Sequence, residues 1–85
     1  VTYRLALTAT AERQLARLPA KVAPAIVEFM TGPLVENPLV VGKELLGPMA
    51  GQRSARRGVY RVIYRIEEDQ VIVLRVDHRA DVYRL

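Results

Sequence analysis

From Ser54 to Ile66 the chain reads SARRGVYRVIYRI, which has the pattern of an antiparallel hairpin. Side chains of a strand point to opposite faces in turn. Gly58-Val59 suits a two-residue turn, with glycine supplying the positive φ that such turns require. The register that follows pairs Arg57 with Tyr60, Arg56 with Arg61, Ala55 with Val62 and Ser54 with Ile63. Tyr60, Val62, Tyr64 and Ile66 then share the face of Ala55. Ser54, Arg56, Arg61, Ile63 and Arg65 line the other face. This register sets arginine directly opposite arginine, an arrangement that costs up to about 1 kcal/mol. Either both side chains splay into water, or the register is one residue off, or an anion sits between the two arginines, and the anion is the expectation.

The rest of the chain can be laid around this hairpin. Residues 2–7 (TYRLAL) alternate polar and apolar side chains, as a strand does. Thr8 or Thr10 can cap a helix whose first turn carries Glu12 at the positive end of the dipole. Ala11, Leu15 and Leu18 make its apolar stripe, and Leu18-Pro19 stops it, because the residue before proline avoids the α region. A second helix turns Val22, Ile26, Phe29 and Met30 inward. Pro24 belongs in its first turn, and Gly32-Pro33 is expected to end it. Residues 33–51, rich in Pro and Gly, are expected to form a loop with short ordered pieces.

Three strands follow at about 52–57, 59–66 and 70–77. The order β-α-α-β-β-β predicts a single α+β domain over residues 1–85. Its two N-terminal helices pack on one face of an antiparallel sheet whose other face stays open. The turn at Glu67-Glu68-Asp69 leaves two registers. A three-residue loop sets Arg75 opposite Arg61 and buries Ile72, Leu74 and Val76, whereas a two-residue turn flips that strand.

Charge points the same way as the hairpin. The chain carries thirteen Lys+Arg against nine Asp+Glu, a formal charge of +4. All eight basic residues from Arg53 onward are arginines. Arginine offers a planar fork suited to phosphate, where lysine is a point charge, so an anionic partner is expected rather than a merely solvated basic face. With no cysteine and a single histidine, His78, neither disulfide nor metal nor other cofactor is expected. No apolar run approaches the roughly 18–20 residues needed to span a bilayer, and the first residues lack a signal-peptide layout. No membrane association and a cytoplasmic location are therefore expected.

His78, Arg79 and Tyr83 follow the last strand and are expected at one rim of the arginine face. Histidine titrates near neutrality when unperturbed, although a lone histidine is more often structural. Tyr83 either packs the tail down or handles a proton. Asp77 and Asp81 are candidate orienting partners for the arginines. The chain has no nucleophile motif, no paired carboxylates at a shared spacing and no Walker loop.

G-V-Y-R-V-I-Y at 58–64, preceded by S-A-R-R and by G-K-E-L at 42–45, and followed by D-H-R-A-D-V-Y-R at 77–84, resembles the RelE/ParE superfamily of bacterial toxins. The likeness is to the RelE branch, and to its mycobacterial-type members in particular. It covers essentially the whole chain. It implies a metal-independent, ribosome-dependent mRNA endoribonuclease that acts in the A site, with a RelB-type antitoxin as partner. It also implies operator DNA binding by the toxin–antitoxin complex through the antitoxin. By position, Arg61, Arg79 and Tyr83 match the family's basic and tyrosine positions. With His78 they form the expected catalytic set. Lys43, Arg53, Arg56, Arg57, Arg65, Arg75 and Arg84 are the expected RNA-binding residues. Where some family members carry strand lysines this chain has Gln52 and Ser54, and Lys43, Arg53 or Arg57 would have to compensate. The alternatives are a ParE-like gyrase inhibitor and a non-catalytic nucleic-acid-binding module.

Overall fold

Strand β1 (Arg4–Leu7) leads into helix α1 (Ala9–Arg17) without a spare residue beyond the cap. The structure is a computed structural model and describes residues 2–79. Thr8 is extended, and its Oγ accepts the Ala11 N–H at 3.1 Å, which satisfies one of the helix's orphan donors. Leu18 returns to extended backbone before Pro19, as expected. Helix α2 (Ala23–Phe29) starts with Pro24 in its first turn.

Gly32-Pro33 does not end the second helix. The chain widens into a π-helical turn (Met30–Leu34) that carries Pro33 inside it and continues to residue 36. Proline in a helix interior costs about 3 kcal/mol. Met30, Leu34 and Val35 are 1%, 0% and 4% exposed. Burying side chains of this size contributes about 1.5–3 kcal/mol each, so packing wins.

The remaining strands are β2 (Lys43–Glu44), β3 (Arg53–Arg57), β4 (Tyr60–Glu67) and β5 (Gln70–His78), in the spatial order β1-β5-β4-β3-β2. The α+β class holds, but the sheet is mixed. β1 runs parallel to β5, while the other pairs are antiparallel. Strand periodicity cannot report this, because alternation is the same for either direction. Ala11, Ile26, Phe29, Met30, Leu34 and Val35 meet Ala55, Val62, Tyr64, Val71, Val73 and Val76 in one core on the helix side.

The β3–β4 register is the expected one, from Arg57–Tyr60 through Ser54–Ile63. Gly58 has φ 63°, and Val59 does not share its positive φ, so the turn is of the type that wants glycine first. The β4–β5 hairpin takes the second of the two expected registers, the two-residue turn that flips the strand, and departs from it only beyond Val73. A two-residue turn at Glu68-Asp69 puts Val71 and Val73 in the core. An irregularity between Ile63 and Tyr64 then skips Leu74 and reverses the alternation, so Val76 is buried as well. The Leu74 carbonyl accepts the Thr8 hydroxyl at 2.7 Å. Arg61 therefore faces Asp77, and Arg75 faces Ile63.

Candidate active site

Alternation places Lys43, Ser54, Arg56 and Arg61 on one face, because Lys43 pairs with Ser54 and Arg56 with Arg61. Opposite residues in adjacent strands have Cβ atoms about 4.5–5.5 Å apart. Together with Val40, Val41 and Gly42 they line a concavity of about 440 Å³. Three of the seven lining residues are cationic and none is acidic. Ser54 Oγ is buried and has no hydrogen-bond partner among the described residues. Lys43 stands beside Ser54, so its charge lies close to where a lysine at 54 would put it.

Behind Arg61, Asp77 is fixed from two sides. Arg75 Nε donates to its Oδ2 at 2.7 Å, and Gln14 Nε2 donates to its Oδ1 at 3.0 Å. Gln14 Oε1 also accepts the Val76 N–H at 2.6 Å. The side chain of α1 thus takes over the edge of β5 where β1 has ended. Arg75 is on the arginine face but already paired. Arg65, further along β4, lies 3.5 Å from Glu67. Ile63 is fully buried on this face, which is therefore less open than expected.

Two of the expected RNA-binding residues point the other way. Arg53 shares the face of Ala55 and Tyr64, and its Nη2 donates to the carbonyls of Leu39 at 3.1 Å and Gly42 at 3.0 Å. Arg57, on the same side, borders an apolar groove with Val22, Ala25, Ile26 and Val59. His78 is also on the helix face, not at the arginine rim. It pairs with Tyr60, and the rings meet edge-on with centroids 5.4 Å apart. The irregularity at Leu74 sets this parity. The Arg79 N–H donates to Val59 O at 2.6 Å, which brings Arg79 to the turn end of the β3–β4 hairpin. Tyr83, Arg84 and Asp81 lie outside the described residues. Lys43, Arg56 and Arg61 are thus together, with Arg79 at the same end of the hairpin.

Sequence reading missed Gln14, Val40 and Val41. A glutamine on a helix or a valine in a loop carries no local signal of what lies across from it.

Two other charged features are structural. Arg4 forms a bidentate pair with Asp69 at 3.2 and 3.0 Å, which holds the Asp69 carboxyl below its usual range. Burial pushes the Tyr64 phenol up, with nearby Arg53 opposing. That phenol donates to Pro38 O at 2.5 Å.

Residues 5–83 match the family model described as the ParE toxin of the type II toxin-antitoxin system parDE. The chain is 51% identical over 84 residues to the toxin RelG of Mycobacterium tuberculosis, covering 96% of this chain and 97% of that one. It is 47% identical over 85 residues to the toxin RelE of the same organism, covering 98% and 88%. Its fold superposes with a TM-score of 0.89 on a chain of the M. tuberculosis RelBE2 toxin–antitoxin complex. That match is 49% identical and covers 93% of this chain and 100% of the other.

Proposed function

The chain belongs to the RelE/ParE superfamily and is a type II toxin of RelE type, and on that premise we propose that it cleaves mRNA on the ribosome. The observation that carries this reading is the convergence of Lys43, Arg56 and Arg61 on one concavity with no acidic lining residue. A phosphodiester fits such a site, and RNA brings its own nucleophile. The 2′-hydroxyl attacks the adjacent phosphorus, the bond to the 5′-oxygen of the next nucleotide breaks, and the products are a 2′,3′-cyclic phosphate and a 5′-hydroxyl. The protein needs to supply in-line geometry, charge stabilisation and proton transfer.

In this reading Arg61 and Arg56 hold the non-bridging oxygens as negative charge grows, Lys43 adds a third cation, and Arg79 closes the site from the hairpin's turn end. Preorganised donors are worth about 2.7–4 kcal/mol each by analogy with oxyanion holes. Proton transfer falls to Tyr83, since His78 sits on the helix face, edge-on to Tyr60. Arg65, Arg75 and Arg84 supply the wider electrostatic track. A site this spare suits an enzyme that relies on the ribosome to position its substrate, in the cytoplasm.

The partner in this reading is a RelB-type antitoxin, because the match with the RelBE2 complex extends over nearly the whole chain. Binding only the folded toxin raises its melting temperature by mass action, and the exposed-charge part of the affinity weakens with salt. Operator DNA is contacted through the antitoxin.

Primer extension on translated mRNA after induction tests the proposal. Cleavage within translated codons is the expected result. Intact mRNA accompanied by gyrase-dependent DNA breaks would favour a ParE-like activity instead.

A further inference from the structure

The wall of the concavity opposite the arginines is apolar, formed by Val40 and Val41, and Val40 is 80% exposed. A bare phosphate has no use for an aliphatic wall. The loop that carries it is held at several points. Tyr64 fixes Pro38 through a buried hydrogen bond. Arg53 bridges Leu39 and Gly42 through their carbonyls. Val40 and Val41 both donate to Asn37 O, at 3.0 and 3.1 Å. Gly42 packs so tightly that a Cβ there would lie 2.9 Å from the Ser54 carbonyl and would collide with the Tyr64 hydroxyl.

Arg53 itself lies on the face away from Arg56 and Arg61. Its Nη2 alone donates to both loop carbonyls, one bond further from the backbone than a lysine ammonium reaches.

We propose that Val40 and Val41 form an apolar subsite for the nucleoside attached to the bound phosphate, and that Arg53 is a positioning residue that holds this wall against Lys43, Arg56 and Arg61. The inference rests on the reading of the concavity as an RNA phosphate site. Aliphatic contact with a ribose or a base face carries no hydrogen-bond code, so the subsite distinguishes a nucleotide from a bare anion while tolerating sequence.

Binding of two probes to the purified toxin tests this: a non-cleavable 2′-O-methyl trinucleotide and inorganic phosphate. Val40→Ser, at an exposed position outside the core, is expected to weaken the trinucleotide about tenfold and to leave phosphate within about twofold. Arg53→Lys is expected to show the same split. Wild-type trinucleotide affinity in Val40→Ser overturns the subsite. Equal loss of both probes in Arg53→Lys makes Arg53 a phosphate contact and overturns its positioning role. Arg61→Ala is the control for the underlying reading. If it weakens neither probe, the phosphate site itself is wrong, a result distinct from failure of the valine wall alone.

Discussion

Arg56 of β3 and Arg61 of β4 are direct cross-strand partners, and both line the same concavity. Like charges so placed cost up to about 1 kcal/mol. The arrangement therefore works against stability in the isolated chain and for the binding of an anion. Arg56→Thr, which puts a β-branched residue in the strand, is expected to raise unfolding stability by up to about 1 kcal/mol while slowing mRNA cleavage. Arg61→Ala is expected to lower single-turnover cleavage by about 10²–10³-fold with the fold intact. Urea unfolding and cleavage on programmed ribosomes measure the two effects. Loss of stability in Arg56→Thr with wild-type cleavage would remove the anion from the explanation.

Proton transfer separates Tyr83 from His78. Tyr83→Phe is expected to slow single-turnover cleavage by about 10²-fold or more. His78→Gln should change it little, because that imidazole sits on the helix face against Tyr60. A neutral Tyr83→Phe beside an inactive His78→Gln would exchange the roles.

Local rules carried the sequence reading a long way. The β3–β4 register, the Thr8 cap, the stop at Leu18 and the place of Pro24 all follow from alternation, capping and proline sterics. What they missed was set by distant contacts. The Leu74 irregularity accompanies a bond to Thr8, 66 residues away, and together with the two-residue turn it sets Asp77 rather than Arg75 opposite Arg61. The same parity carries His78 away from the arginine face. Arg53 reads as one more phosphate ligand until the loop carbonyls of Leu39 and Gly42 are seen beside it. Lys43, separated from Ser54 by a loop, joins the site only through the pairing of β2 with β3.

Gln14 provides a stability test with a functional readout. It completes the β5 edge at Val76 and steadies Asp77 behind Arg61. Gln14→Leu keeps the volume and removes both bonds. Leaving the Val76 N–H unsatisfied is expected to cost about 1–3 kcal/mol, read from the urea midpoint. Cleavage per folded molecule should fall as well, because Asp77 loses one of its two anchors. A variant as stable as wild type would show that the edge finds another partner.

Tyr64 makes the alkaline limit of stability predictable. Burial raises its phenol above the ordinary value of 10.0, with Arg53 pulling the other way. Above about pH 10 the unfolded chain releases this proton while the native chain still holds it, so the native state binds more protons and stability falls as pH rises. The contribution is fully present below the unfolded value and is lost as pH climbs through the native one. Ionisation also removes the donor that fixes Pro38, and with it one anchor of the Val40–Val41 wall. Tyr64→Phe is expected to lose about 1–3 kcal/mol at neutral pH, since the Pro38 carbonyl is left without its donor. The difference between wild type and Tyr64→Phe should then shrink between pH 8 and pH 11 as the wild-type phenol becomes a liability. Taking that difference cancels the other tyrosines and the lysines to first order. A gap that stays constant over this range would mean that the phenol titrates alike in both states, and that burial does not govern it.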